Sequence, residues 1–191
     1  MQDDLTRQLA FLTEIDALKS VVRQSLIADR SRRENSAEHS WHLAMFALVL
    51  APQALDKGKI VSMLLIHDIV EIDVGDAPIH GVHDKAALEL AEAAAAKRLF
   101  GLLPEGQATH LLALWQEFEA AATPEAKFAK SLDRLQPLML NTLTGGGTWT
   151  ESNVSEQQVY ERYGPAIQDG SPSLWARARE MVRQHFARSG A

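Results

Sequence analysis

The sequence predicts an all-α protein, a bundle of seven or eight helices around one core. Apolar residues recur at spacings of three and four along most of the chain, which is the period of one helix face. No segment shows the period-two alternation of a half-buried strand, and no internal repeat is present. These observations favour an all-α fold over a mixed or all-β one.

Length and composition set the broad class. The 191 residues, 46% of them hydrophobic, predict a single domain spanning 1–191 that buries a sizeable core. A net charge of −6 argues against a surface that wraps nucleic acid. The N-terminus lacks the features of a signal peptide, and the apolar run at 43–51 is too short to span a bilayer. We therefore expect a cytoplasmic protein without nucleic-acid or membrane partners.

The first half of the chain is predicted to form three helices, at 4–26, 37–55 and 59–72. In the first helix, leucine, isoleucine and valine recur at spacings of three and four, which places them on one face. The third helix is apolar on several faces, so we expect it to be central. Charged residues at 28–35 and glycine and proline residues at 74–84 predict the loops between and after these helices.

The second half is predicted to form five helices, at 85–101, 104–121, 124–143, 155–168 and 172–188. The first of them is alanine-rich, which favours a helix, and proline at the start of the next two suits a first helical turn. The glycine cluster at 144–148 is predicted to be an interior loop. It does not match a phosphate-binding P-loop, because neither a preceding strand nor a following Lys-Ser/Thr completes that motif.

Residues with metal-binding side chains occur at three places along the chain. His67 and Asp68 follow an apolar run directly, His39 precedes them by 28 residues, and Asp133 follows Asp68 by 65 residues. The chain contains no cysteine, so any metal site must use His, Asp and Glu. Ligands from separate helices can converge inside a bundle. The adjacent pair can serve one metal if a helix end bends there, since neighbouring residues do not share a helix face.

This order of residues, His39, His67-Asp68 and Asp133, resembles the H…HD…D signature of the HD-domain metal-dependent phosphohydrolases. Four segments are similar to the subfamily that contains the bacterial 5′-deoxynucleotidases: RRENSAEHSWH, LLIHDIVEIDVGD, KRLFGLLPE and EAKFAKSLDRLQPL. The resemblance covers most of the chain, with a metal-site core at about 18–140 and C-terminal helices at 150–188 packed on it. It implies an all-α HD bundle in which the four signature residues hold the metal.

The ligand set constrains the identity of that metal without fixing it. Imidazole and carboxylate ligands suit one divalent ion of Mn, Co, Fe, Ni or Zn, and Mg is less favoured as histidines accumulate. The resemblance also implies active-site roles for Glu71 and Asp76, which lie three and eight residues after Asp68. Either carboxylate could orient or deprotonate an attacking water, or protonate a leaving alkoxide.

A phosphate substrate requires cations to offset its charge. The sequence offers four candidates for substrate binding: Arg23, Arg32, Arg33 and Lys130. Arg23 lies in a segment that is similar to the family's N-terminal segment, where an arginine contacts the substrate phosphate. The aromatic residue that follows this arginine in the best-known deoxynucleotidases is absent, because Gln24 occupies its position. The preference between ribose and deoxyribose therefore stays open.

We expect a 5′-nucleotidase that hydrolyses (deoxy)nucleoside 5′-monophosphates to nucleoside and phosphate. The alternatives are a phosphodiesterase or a nucleoside-triphosphate hydrolase on the same metal centre, and a metal- or nucleotide-binding HD protein with little turnover. Glu71 and Asp76 argue against the last alternative, because a pure binder has less need of two further carboxylates. The apolar helix faces exceed what one small bundle needs, which predicts a homodimer.

Overall fold

The computed structural model describes residues 3–189. Its helices in chain order are α1 (Asp4–Glu14), α2 (Ser36–Leu50), α3 (Lys57–Ile66), α4 (Glu71–Val74), α5 (Lys85–Phe100), α6 (Glu105–Ala120), α7 (Pro124–Leu143), α8 (Thr148–Glu151), α9 (Glu156–Gly170) and α10 (Pro172–Ser189). Within the described residues, eight of these helices have ten residues or more, and α4 and α8 are single turns. The predicted all-α class and helix number are confirmed.

The predicted helix at 4–26 and the predicted lack of strands are both wrong. Helix α1 ends at Glu14, a 3₁₀ segment follows at Ile15–Ser20, and strand β1 occupies Val22–Leu26. Strand β1 pairs antiparallel with β2 (Arg33–Asn35), inside the predicted loop. The spacing of apolar residues in β1 matched a helix by coincidence, whereas the strand is stabilised by pairing with residues further along the chain.

Local capping explains where several helices begin and end. Helix α2 begins after Asn35, whose side chain accepts from the backbone of Glu38 while Glu38 bonds back to the Asn35 backbone. It ends at Leu50 and not at the predicted residue 55, because Ala51 precedes Pro52 and is extended. Helix α7 has the predicted bounds, with Thr123 as its N-cap and Pro124 in its first turn.

The predicted helix at 59–72 is interrupted in the middle. Helix α3 ends at Ile66, a 3₁₀ segment occupies His67–Val70, and α4 follows directly. Loop 75–84 then leads to α5, as the glycine and proline content predicted. The interruption coincides with the adjacent His-Asp pair, which is where the sequence required a bend.

Helix α7 runs through the centre of the protein and packs against α2, α3, α6, α9 and α10. Its buried positions carry both apolar side chains, such as Leu132 and Leu138, and polar ones, namely Ser131, Asp133, Gln136 and Asn141. Buried polar side chains require hydrogen-bond partners, and those of Asp133 and Gln136 lie at the candidate site. Within the described part of the chain, no helix combines the length and apolar character that crossing a membrane requires.

Candidate metal centre

Four ligand-type side chains converge on one point between α2, α7 and the interruption after α3. His39 Nε2 lies 3.2 Å from Asp133 Oδ1 and 4.0 Å from Asp68 Oδ2. His67 Nε2 lies 3.0 Å from Asp68 Oδ1 and 3.6 Å from Asp133 Oδ1. Two ligands that each bind one ion at about 2.1 Å lie roughly 3–4 Å apart, so these separations suit a shared ion.

The outer nitrogens of both histidines are held by hydrogen bonds, which orients the rings. Gln136 Nε2 donates to Glu34 Oε1 over 2.7 Å, because a carboxylate can only accept. The amide oxygen of Gln136 therefore faces His39 Nδ1 at 3.1 Å, so that nitrogen carries the hydrogen. His67 Nδ1 likewise donates to the Leu64 carbonyl over 2.9 Å. With Nδ1 used as a donor, each Nε2 faces the cluster and can offer a lone pair to a metal ion once the ring is neutral.

Buried charges around the cluster form an unbalanced network. Arg23 Nη1 lies 2.8 Å from Asp68 Oδ2, 3.4 Å from Asp76 Oδ1 and 3.8 Å from Glu71 Oε1. Its Nε lies 3.8 Å from Glu34 Oε2. One guanidinium thus faces four carboxylates, and a cation at the cluster would offset the remaining negative charge.

The charge distribution shifts the protonation of the individual groups. Burial opposes a charged imidazole, but the Asp68 and Asp133 carboxylates outweigh it and raise the pKa of His67 to about 10. Burial and the Asp68 charge raise the pKa of Glu71 to about 9. Burial also raises the pKa of Asp76, against the opposing charge of Arg23. Groups with such perturbed pKa values inside a cavity are typical of catalytic sites.

The residues present fit a divalent metal ion. Ligand atoms of His39, His67 and Asp133 all lie within 4.8 Å of one another, and all three side chains are buried. The Asp68 carboxylate borders the same point, and two nitrogen and two oxygen donors form a set that first-row divalent metals accept. The geometry therefore groups His39, His67 and Asp133 as a candidate metal site, with the Asp68 carboxylate beside it.

Comparison with known proteins agrees with this geometry. The family model described as the HD domain matches residues 15–175. The chain belongs to the HD-domain family. We call its adjacent residues His67 and Asp68, which directly follow α3, the HD pair.

Relatives of this HD-domain protein carry related names. It is 34% identical to the human protein named 5′-deoxynucleotidase HDDC2 over 133 residues, 69% of this chain and 65% of that protein. It is 28% identical over 131 residues to 5′-deoxynucleotidase hdd1 of Schizosaccharomyces pombe, covering 66% of each chain. The chain therefore spans just under two thirds of the length of these curated relatives.

Solved structures show the same fold. A crystal structure described as a predicted metal-dependent phosphohydrolase from Magnetospirillum magnetotacticum MS-1 superposes with a TM-score of 0.92, at 50% identity, covering 97% of this chain and 94% of that one. The PH0347 protein from Pyrococcus horikoshii OT3 superposes with a TM-score of 0.64 at 19% identity, covering 91% and 99% of the two chains. The second likeness concerns the fold alone.

The HD pair opens onto a cavity of about 850 Å³. Of the predicted substrate-binding residues, Arg23 and Lys130 line this cavity. Lys130 lies at its rim, where Nζ contacts Glu119 at 3.0 Å and lies 4.0 Å above the centre of the Phe118 ring. Both cations are therefore within the part of the protein that would receive a phosphate.

The structure does not bring Arg32 and Arg33 to this cavity. Arg32 forms a two-pronged pair with Glu38 on the surface, with both contacts at 2.7 Å. Arg33 pairs with Glu151 at 3.0 Å and also donates to the Gln24 carbonyl. These surface partners hold both guanidinium groups at the exterior, away from the metal ligands.

Sequence reasoning missed three residues that complete the site. Gln136 orients His39, Ser36 donates a hydrogen bond to Glu71 Oε2, and Arg134 lines the cavity beside Asp133. The sequence positions of two of them could have indicated a place beside the ligands. Gln136 lies one helical turn after Asp133, and Ser36 lies one turn before His39. The sequence places Arg134 next to Asp133 but gives no signal that its side chain lines the cavity.

Proposed function

We propose that this protein is a divalent-metal-dependent phosphohydrolase that cleaves (deoxy)nucleoside 5′-monophosphates to nucleoside and phosphate. The observation that carries the proposal is the arrangement around Arg23. Four metal-type ligands, two further carboxylates and this buried guanidinium meet at the base of one cavity. The names of the relatives support the same reaction and substrate class.

His39, His67, Asp68 and Asp133 would hold the metal ion. A bound divalent ion polarises a phosphoryl oxygen and makes a water more acidic. Arg23 provides a positive charge that Asp68 and Asp76 hold in place, within 3.4 Å of each carboxylate. Because Arg23 also lines the cavity, it can bind a phosphate oxygen there. An arginine fork suits phosphate oxygens in geometry as well as charge.

Glu71 and Asp76 are the proposed proton carriers. Ser36 holds one oxygen of Glu71 and Arg23 lies 3.8 Å from the other, so the carboxyl group has a fixed orientation. A carboxyl with a raised pKa can accept a proton from water and later donate it. Asp76 lies 3.4 Å from the same nitrogen of Arg23, and we propose that it donates a proton to the leaving oxygen of the ester.

The charge of the cavity lining favours a monophosphate over a triphosphate. Seven carboxylates line it: Asp68, Glu71, Asp76, Glu89, Glu92, Glu119 and Asp133. Four cations do: Arg23, Lys85, Lys130 and Arg134. With one divalent ion these charges nearly balance, so the lining has no surplus positive charge to neutralise additional phosphate groups.

A substrate panel tests the proposal. Metal-free protein is reloaded with Mn²⁺, Co²⁺ or Mg²⁺ and incubated with nucleoside mono-, di- and triphosphates and cyclic nucleotides. Release of phosphate from monophosphates alone is the expected result. Cleavage of cyclic nucleotides or triphosphates in preference would establish one of the alternative hydrolases. Tight metal binding with no turnover on any substrate would refute the proposed activity.

We also propose that the protein forms a homodimer through α2. Trp41, Met45 and Val49 follow one another at intervals of four residues, and Trp41 and Val49 are 63% and 75% exposed. A contiguous apolar stripe on a helix is typical of an association surface. Light scattering after size exclusion should show a dimer for the wild type and a monomer for Trp41→Glu. Val82→Glu, at an isolated exposed loop position, is the control that should remain dimeric.

A further inference from the structure

The glycine cluster at 144–148 contributes no residue to the metal cavity but borders a different cavity, of about 890 Å³. Arg30, from the turn between β1 and β2, also lines this cavity, which we call the Arg30 cleft. One face of α10 adds four residues: Met181, Gln184, His185 and Arg188. The Arg30 cleft shares no lining residue with the metal cavity, so a ligand bound in it would leave the metal ligands free.

The lining of the Arg30 cleft is positively charged. Arg30 and Arg188 both contribute to it, and none of its residues, all of which lie within 3–189, is an aspartate or a glutamate. Within the described part of the chain, neither guanidinium forms an ion pair or a hydrogen bond. In the metal cavity, by contrast, Arg23 and Lys130 are both paired with carboxylates. In a protein with a net charge of −6, two unpaired arginines at one cavity create a local attraction for anions.

Arg30 occupies a backbone position that favours glycine. Its N–H donates to the Ile27 carbonyl over 2.9 Å and so closes the turn between the two strands. Its φ angle is +63°, in the left-handed region, where a long side chain is strained and glycine or asparagine is common. Strained positions cluster where a ligand or a reaction requires the side chain. Since no described residue bonds to the guanidinium, the position favours a role for Arg30 in binding a ligand.

The glycine cluster leaves the Arg30 guanidinium accessible. Gly145 has a φ angle of +75°, and a Cβ at this position would lie 3.4 Å from Arg30 Nη2. The loop backbone therefore runs beside the guanidinium with no side chain to cover it. Two features that the metal centre does not explain, an arginine in a strained turn and a glycine-rich loop, thus meet at one cavity.

We infer that the Arg30 cleft binds an oligophosphate anion. A guanidinium presents a planar fork of N–H groups that matches phosphate oxygens, and two of them suit a ligand with more than one phosphate group. The phosphates can be inorganic or belong to a nucleoside triphosphate, whose base would find apolar surface at Leu143 and Met181. The inference goes beyond the proposed hydrolysis and does not depend on it.

Calorimetry on the metal-loaded protein tests the inference. The ligand is the magnesium salt of tripolyphosphate, since a metal-free polyphosphate would extract the bound ion. Arg30→Gly combined with Arg188→Gln removes both charges, and glycine suits a turn residue at φ +63°, so this double variant should unfold at the wild-type temperature. Arg177→Gln combined with Arg183→Gln is the matched control, because both arginines are exposed on α10 outside the cleft.

We expect the wild type and the control to bind tripolyphosphate equally, and the double variant to bind it about tenfold or more weakly, as loss of charge-assisted hydrogen bonds predicts. Arg188→Gln alone, which leaves the turn intact, should show part of the loss and so exclude a misfolded turn as its cause. No binding to the wild type, equal affinity in all variants, or an equal loss in the control would overturn the inference.

A nucleotide titration identifies the source of the phosphates. The β,γ-methylene analogue of ATP, which resists hydrolysis, is compared with tripolyphosphate on the same proteins. Tighter binding of the analogue that is lost in the double variant assigns the Arg30 cleft to a nucleotide, and equal or weaker binding that is lost assigns it to inorganic oligophosphate. Binding that persists in the double variant places both ligands elsewhere and refutes the inference. Because these measurements need no turnover, failure of the proposed hydrolysis would leave their result standing.

Discussion

Replacing Gln136 with leucine removes the group that orients the His39 ligand. Gln136 is fully buried and bonds to His39 Nδ1 at 3.1 Å and to Glu34 Oε1 at 2.7 Å. Leucine has a similar volume but leaves both groups without that partner. Each buried group left unsatisfied costs about 1–3 kcal/mol, and His39 Nδ1 keeps a distant acceptor, Glu34 Oε2 at 3.5 Å. We therefore expect the free energy of unfolding to fall by about 3 kcal/mol.

The same substitution should also weaken metal binding in the protein that remains folded. Loss of an outer-shell partner typically lowers metal affinity by about 10- to 100-fold. Urea unfolding of metal-free protein and competition with a fluorescent chelator measure the two effects. Ser131→Ala is the control, since Ser131 is buried on the same helix but bonds only to the Phe128 carbonyl. Unchanged metal affinity in a folded Gln136→Leu protein would refute the orienting role.

Three further predictions concern the metal ligands and the proposed catalytic carboxylate. Asp68→Ala should abolish metal loading, measured by elemental analysis after gel filtration; full occupancy would exclude Asp68 as a ligand. Glu71→Gln should retain the metal and lower kcat by about 10²- to 10⁴-fold, and unchanged turnover would contradict its role in proton transfer. Without metal, the pKa of His67 is raised to about 10, so metal binding at pH 7.5 should release about one proton. Metal affinity should therefore rise with pH. Calorimetry in two buffers of different ionisation enthalpy tests this, because equal binding heats in both buffers would show that no proton is released.

Helices that begin and end at capping residues and prolines could be predicted from the sequence. The helix predicted over 15–26 was wrong, because part of that segment pairs with residues further along the chain. Helix α7 was predicted correctly because Thr123 and Pro124 mark its start and its apolar period is regular. Residues 22–26 carry a similar apolar spacing, but the segment pairs with residues 33–35 instead. No local feature of a sequence reports such a partner, because strand propensity depends strongly on tertiary context.

For the candidate site as well, the sequence could predict the types of residue involved but not which of them the fold brings together. The ligand-type residues could be identified because His and Asp in an apolar segment require a reason to be there. Arg32 and Arg33 have the right charge for a phosphate, but only the orientation of the strand pair shows that they face outward. Asp73, in the same stretch as the HD pair, is held by Arg98 at the surface instead. Residue type thus predicted the chemistry, and the backbone path selected which residues take part.

The interruption after α3 explains why the HD pair and Glu71 can serve one site. Ile66, at φ −110° and ψ −9°, ends the α-helix, and the segment His67–Val70 is 3₁₀. Residues three apart are eclipsed in a 3₁₀ helix, so Asp68 and Glu71 lie one above the other and both reach Arg23. The His67 carbonyl accepts a hydrogen bond from Trp115 Nε1 at 3.2 Å, which stabilises the altered backbone. An uninterrupted α-helix would stagger Asp68 and Glu71, so the change of helix type aligns the ligand with the proposed proton carrier.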